Sequence, residues 1–295
     1  MGVDGVIVVD KPAGITSHDV VSRMRRLANI RKVGHLGTLD PVATGVLPLL
    51  LGRATRLAQF FSTSEKKYDA VIRFGWATDT YDCQGARVSD VVEPCFTAPE
   101  LEKVLASFRG KITQAPPPFS AKKVGGTPAY KLARKQLPVE LAPVQVEVFA
   151  LELVQFLGTG ARIRVHCSAG TYVRAIAHEV GQHLGTGAFL ESLRRTASGD
   201  FSEPQARGFE ELAQLAQEDR LRDAVIPAAL LLPHFFSATV DPLTVTQIRQ
   251  GRDFRISPFL AQAASKYVKA VSQEGTLVAI GEARLPHLYH PILVL

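Results

Sequence analysis

The chain has 295 residues, 46% of them apolar, enough to bury a full core and too apolar for a disordered or collagen-like polymer. Its formal charge is +6, from 34 Lys and Arg against 28 Asp and Glu, a mild bias toward a polyanionic partner. The three cysteines, Cys83, Cys95 and Cys167, have no C-x-x-C spacing, so neither a disulfide framework nor a zinc cluster is expected, and a reducing cytoplasm is the predicted compartment.

Residues 5–9 read as a short β-branched strand ended by Asp10-Lys11-Pro12. Ser17 then reads as the cap of a helix that buries Val20, Val21, Met24 and Leu27. The apolar stretch 46–51 is far too short to span a bilayer, and no leader pattern opens the chain, so no membrane association is expected. Residues 68–74 alternate like a half-buried strand. A helix is predicted over 97–109, opened by Thr97 and packed through Leu101, Val104, Leu105 and Phe108. Between 111 and 139 lie three consecutive prolines, the pair Gly125-Gly126, six basic residues and no acid, which predicts an exposed arm with a positive field.

Strand patterns return at 144–154 and 163–167, and Gly170 turns into a helix starting near Thr171. Its stripe is Val173, Ile176, Ala177, Val180 and Leu184, with Gly185 where a C-cap belongs. After a leucine-rich connector at 226–233, strands are expected at 243–245, 267–271, 277–280 and 292–295, with a turn at Gln273-Glu274-Gly275. This predicts a mixed α and β chain with one large domain over 1–235 and a small β-rich one over 236–295.

The segment Gly34-His35-Leu36-Gly37-Thr38-Leu39-Asp40-Pro41-Val42-Ala43-Thr44-Gly45 has the most chemical promise. Its glycines permit tight turns, and Pro41 pushes Asp40 out of the α region, so the carboxylate is displayed from a stiff loop. From spacing alone an ordinary Asp-Pro turn is the better reading. In Ser168-Ala169-Gly170-Thr171-Tyr172-Val173-Arg174, the arginine is placed to hold a carboxylate ionised in a cleft, or is a plain surface residue. Tyr68, after Lys66-Lys67, is a sheet tyrosine or a platform that stacks on a base while lysines neutralise phosphates. Arg23, Arg25, Arg26, Arg31 and Lys32 form a second run without acids, so two positive surfaces could flank one groove.

Two metal or triad readings fail on geometry. His178 and His183 are five apart, which on a helix separates them by roughly 140°. Ser17-His18-Asp19 cannot form a triad by adjacency, and Ser17 is better read as a cap with the other two solvated.

The motif Gly34-His35-x-Gly37-x-Leu39-Asp40-Pro41-x-Ala43-Thr44-Gly45-x-Leu47 closely resembles the signature of the bacterial tRNA pseudouridine synthase B (TruB) family, which modifies uridine 55 in the TΨC arm. Asp10-Lys11-Pro12-x-Gly14, Lys67-Tyr68, Pro117-Pro118-x-Ser120-Ala121, Gly170-Thr171-Tyr172-Val173-Arg174 and Leu193-Arg194-Arg195-Thr196 continue the match in order. The resemblance implies an α+β pseudouridine synthase fold with a mixed, mostly antiparallel sheet, an RNA-gripping insertion at about 111–142 and a PUA-like domain over 236–295. It implies Asp40 as the catalytic aspartate and Arg174 as its ion-pair partner. Tyr68 would stack on the target base and help remove the C5 proton. Tyr172 and Leu193 would line the pocket, Lys11 would support it, and His35 would fill the space of the flipped nucleotide. Lys122, Lys123, Lys131, Arg134 and Lys135 would grip RNA. No metal, redox cofactor or guide RNA is expected, and a monomer is.

Leu36 stands where Thr or Ala is commoner in the family, and Ala142 where an Arg often begins the strand after the arm. The first would alter packing near Asp40, and the second would remove one phosphate or carboxylate contact. Besides the isomerase reading stand an RNA-binding protein with the same groove, which would bind tRNA without product, and a nucleoside hydrolase, which would release uracil and ordinarily needs a second carboxylate or a metal.

Overall fold

The computed structural model describes residues 4–120, 122–124, 126–129, 132, 135, 141–257 and 265–295. Lys131 and Arg134 of the expected RNA-gripping arm lie outside them.

Strands β1 (Gly5–Lys11) and β3 (Thr44–Leu51) pair antiparallel, from Gly5 opposite Leu51 to Lys11 opposite Gly45. Successive side chains point to opposite faces of a strand. Ile7, Val9, Leu47, Leu49 and Leu51 therefore enter one core, while Val6, Val8, Val46 and Leu50 enter another. An unbroken apolar run is what a strand buried on both faces requires, and each such side chain contributes about 1.5–3 kcal/mol.

Between them lie α1 (Ser17–Leu27) and β2 (Val33–His35), the latter pairing with β3. The remaining strands of this part are β4 (Lys66–Phe74), β5 (Gly110–Gln114), the short hairpin β6 (Lys123–Val124) and β7 (Thr127–Pro128), β8 (Val144–Phe156), β9 (Gly160–Cys167), β10 (Ala188–Ser198), β11 (Phe201–Ser202) and β12 (Ile226–Pro227). The main sheet runs β12-β1-β3-β10-β4-β9-β8-β5. Its one parallel pair among the described residues is β3 with β10, which sets Thr44 against Arg194 and Gly45 against Arg195. The helices α1, α2 (Ala98–Ala106), α3 (Val173–His183) and α4 (Phe209–Gln217) cover one face through Met24, Leu101, Ile176 and Leu212.

The second sheet contains β13 (Phe236–Val240), β14 (Phe254–Arg255), β15 (Tyr267–Ser272), β16 (Leu277–Leu285) and β17 (Leu288–Val294), in the order β13-β15-β16-β17-β14. Its Leu277, Ile280, Leu293 and Leu295 join Val6, Val8, Val46 and Leu50 in a shared core behind the main sheet. Lys269, buried, donates to the connector carbonyls of Ala229 at 3.0 Å and Leu231 at 2.7 Å.

Three local expectations need correction. Residues 243–245 are not a strand but part of α5 (Pro242–Arg249): Asp241 accepts from Thr244 N at 2.7 Å and Pro242 opens the first turn, and the cap outweighs a β-branched run. Thr16, not Ser17, caps α1, in a capping box with Asp19 that also removes Asp19 from the merely solvated residues. The arm does not begin at Lys111, since residues 111–114 belong to β5 and Pro116 and Pro117 are buried. No helix among the described residues is long and apolar enough to cross a membrane.

Candidate active site

The loop 36–43 carries Asp40 between β2 and β3, and three polar side chains from elsewhere hold it and the start of β3. Ser17, buried at the start of α1, accepts from Leu39 N at 2.8 Å and donates to Leu39 O at 3.0 Å. The buried Lys11 ammonium donates to the carbonyls of Pro12 (2.9 Å), Pro41 (3.3 Å) and Ala43 (2.6 Å). Arg195, buried in β10, donates to Val46 O at 2.7 Å, Gly37 O at 3.1 Å and Thr38 O at 3.4 Å. Gly45 has φ +97°, and a Cβ there would stand 2.3 Å from the Arg195 carbonyl, so only glycine permits this crossing of β3 and β10.

Arg174, on the first turn of α3, brings its Nε to 2.8 Å from Asp40 Oδ2, an ion contact that is not aligned as a hydrogen bond. Its Nη1 donates to Thr80 O at 2.9 Å and lies 3.5 Å from Asp82 Oδ2, and its Nη2 donates to Phe119 O at 3.1 Å. One guanidinium thus joins two carboxylates and two loops. Asp82 is itself held by Thr80 Oγ1 at 2.6 Å and Gln84 N at 3.1 Å. The arginine side chain is 4% exposed and that of Asp40 35%, so the carboxylate keeps one side open to the cleft.

That cleft has a volume of about 430 Å³ and is lined by Asp40, Arg174, Tyr68, His35, Tyr172 and Leu193, together with Lys66, Ser120 and Arg195. Tyr172 is oriented by a reciprocal amide contact: its N donates to Gln114 Oε1 at 2.8 Å, and Gln114 Nε2 donates to its carbonyl at 3.0 Å. Burial raises the Asp40 carboxyl above its ordinary value and Asp82 adds to this, while Arg174 and Lys11 pull it down. Burial pushes the Tyr68 phenol up to about 12 against the pull of Arg195. Burial lowers His35, with Arg195 and His18 acting the same way, and its Nδ1 is buried without a partner. The wall therefore presents one stressed carboxylate amid neutral rings and fixed cations.

The fold gathers six of the seven expected catalytic and pocket residues at this cleft. The seventh, Lys11, lies under the loop and not in the wall. Lys122 and Lys123 belong to the hairpin of the arm, where Ala129 N donates to Lys122 O at 2.6 Å, and Lys135 is exposed; neither Lys122 nor Lys135 lines the cleft. Leu36 is buried against Val46 and Leu50, and Ala142 is exposed ahead of β8. Of the rejected metal pair, His178 stacks on Tyr81 at 3.8 Å while His183 meets Phe108, so the rings face different neighbours. The sequence reading missed Asp82, Gln114 and Arg195 as site residues, and gave Lys66 only as one of two lysines beside Tyr68 that could neutralise phosphates. The signal for Asp82 was an acid and hydroxyl-rich loop, Thr78-Asp79-Thr80-Tyr81-Asp82, which spacing alone cannot tell from a turn.

The sequence profile of the TruB family pseudouridylate synthase N-terminal domain matches residues 25–173, and that of the tRNA pseudouridylate synthase B C-terminal domain matches residues 174–233. The tRNA pseudouridine synthase B of Solibacter usitatus is 59% identical over 292 residues, covering 99% of this chain and all of that protein. The chain belongs to the TruB family. It is therefore a pseudouridylate synthase, an isomerase. Other TruB proteins, from Azoarcus sp. (42% identical, 86% of this chain and 84% of that one) and Aquifex aeolicus (38%, 95% and 96%), are similar along most of their length. Among solved structures, a chain of a Cbf5-Nop10-Gar1 complex matches with a TM-score of 0.72 and 28% identity, over 97% of this chain and 83% of that one. A chain of an H/ACA RNP bound to a substrate RNA containing 2′-deoxyuridine matches at 0.71 and 25%, over 99% and 84%. These likenesses bear out the mixed, mostly antiparallel sheet as a TruB-family fold with a β-rich C-terminal sheet.

Proposed function

We propose that this enzyme converts uridine 55 in the TΨC arm of tRNA to pseudouridine, acting as a monomer in the cytoplasm without metal, redox cofactor or guide RNA. The observation that carries the reading is a single carboxylate, Asp40, paired with the buried Arg174 at 2.8 Å inside an aromatic-walled cleft of about 430 Å³. The tRNA pseudouridine synthase B relatives, 59% identical in one case, support the substrate.

The reaction breaks the N1–C1′ bond and forms a C5–C1′ bond, and N1 gains the proton that C5 loses, so atoms and electrons balance within one nucleotide. A base inside a folded arm cannot be reached without extrusion. Tyr68 and Tyr172 would sandwich the flipped ring and Leu193 would keep the detached ring from escaping, so that it rotates in place. Asp40 would supply the nucleophilic or basic oxygen, with Arg174 keeping it ionised against burial. With its phenol at about 12, Tyr68 is neutral at neutral pH, which favours stacking and a hydrogen-bonded relay over direct removal of the C5 proton. His35, also neutral, would fill the vacated stack. Lys11 would support the pocket from beneath. The arm, with Lys122, Lys123, Lys131, Arg134 and Lys135, and a PUA-like unit over 236–295 would grip the RNA on either side of the 1–235 catalytic domain.

Mapping pseudouridine in an unmodified tRNA transcript incubated with the purified enzyme tests this. Product at uridine 55 is expected, and Asp40→Asn should bind the transcript while losing at least about a thousandfold in rate. Product at another position refutes the site, uracil release makes the protein a hydrolase, and binding without product makes it an RNA-binding protein.

A further inference from the structure

Among the described residues, Lys66 is a pocket cation whose ammonium leaves donors unused. It stands in β4 two residues before Tyr68 and on the same face, so the two are about 6–7 Å apart along the strand. Its ammonium carries three donors, and among the described residues its one hydrogen bond is to Ser64 O at 2.6 Å. Lys11, by contrast, uses three carbonyls, and Arg195 another three. Among the described residues neither Lys66 nor Arg195 has a carboxylate within ion-pair reach, although both are buried. They flank Gly37, where a Cβ would lie 3.5 Å from Lys66 Cε and 3.6 Å from Arg195 Nη1.

Two buried cations without an acid are costly unless an anion arrives. The position of Lys66 tells which. Its partner Ser64 belongs to the surface turn 62–65 and lines a second cleft of about 450 Å³ that shares Phe61 with the first, so the ammonium is anchored on the side where the two clefts adjoin. An RNA backbone that leaves a base stacked on the half-buried Tyr68 toward the second cleft passes this ammonium. Burial and Arg195 lower Lys66 to about 8, so it remains charged at neutral pH.

We infer that Lys66 binds a backbone phosphate next to the flipped uridine, with Arg195 supporting it by holding the loop 36–43 and the start of β3. This rests on the reading of the site given above.

The test uses a synthetic TΨC stem-loop RNA and versions carrying one uncharged methylphosphonate linkage on either side of the target uridine, with both kcat/KM and Kd measured on the full chain. Lys66→Met should lose about tenfold on the unmodified RNA, and Lys66→Arg should retain most activity. One of the two neutral linkages should weaken the wild type by a similar factor and weaken Lys66→Met little further, and the variant's salt dependence should flatten by about 0.7 in log–log slope. Lys66→Gln, which removes the charge but retains a side-chain N–H donor, gives the same comparison if Lys66→Met fails to fold. Equal activity of the variants, or a loss that adds fully to that of both linkages, overturns the phosphate contact; the latter would place the charge on the detached base. If the wild type binds but forms no pseudouridine, the proposed function fails, while the Kd cycle still decides the contact.

Discussion

Asp40 is pushed toward neutrality by burial and Asp82, and held ionised by Arg174 and Lys11. A carboxyl whose folded value exceeds its unfolded one binds more protons when folded, so stability falls as pH rises through that window. At neutral pH the ionised Asp40 therefore costs stability. Asp40→Asn should raise Tm at pH 7 by calorimetry while abolishing turnover, and a lowered Tm would mean that the pairing with Arg174 outweighs burial. Because the reaction needs the ionised form, kcat/KM should climb as pH rises through a value above the ordinary 3.8. Asp82→Asn removes a negative neighbour, so this limb should move to lower pH. Arg174 would also lose an anchor, and kcat should fall by at least about tenfold. A pH–rate profile of the two enzymes checks both. The loop of Asp40 and the turn carrying Arg174 were legible because a rigid Gly and Pro loop and a strand-to-helix turn leave local marks, whereas their pairing was implied only by the family resemblance. Asp82 was not, since its partner Arg174 is 92 positions away and only folding brings them within 3.5 Å.

At the scale of elements, periodicity and capping did most of the work. The helix from Thr97 was readable because Thr97 and Glu100 form a capping box ahead of Leu101 and Leu105. Thr97→Ala should cost about 1 kcal/mol in a denaturant melt and leave turnover unchanged, since this cap touches nothing in the cleft. Ser17 shows the opposite case. Its hydroxyl was read as a helix cap, yet Thr16 takes that role and Ser17 reaches across to both backbone groups of Leu39. Ser17→Ala should leave two buried groups unpaired, cost about 1–3 kcal/mol and lower kcat/KM by loosening the residue before Asp40; an unaltered melt would show that water replaces the hydroxyl. The misread strand at 243–245 has the same cause: β-branched propensity is weak beside an Asp241 cap followed by Pro242.

Over the whole molecule, the second sheet is joined to the first through a common apolar core in which Ile280 is fully buried beside Val8 and Leu50. Ile280→Ala should cost about 2–5 kcal/mol and, because the two sheets share that core, should melt in one transition seen alike by near- and far-UV circular dichroism. Two separate transitions would show that the sheets unfold independently. The sequence alone determined the alternating strands, the capped helices, the long apolar run of β3 and the unusual loop around Asp40, because each depends on neighbours a few positions apart whose spacing reports the faces of a helix or strand. Only the tertiary structure decided that Lys11, Ser17 and Arg195 converge beneath one loop, that Arg174 joins Asp40 to Asp82, and that the buried Lys66 lines the same cleft. Those arrangements depend on which strands pair and in what register, and a buried charge reveals its partners only after distant segments have been packed around it.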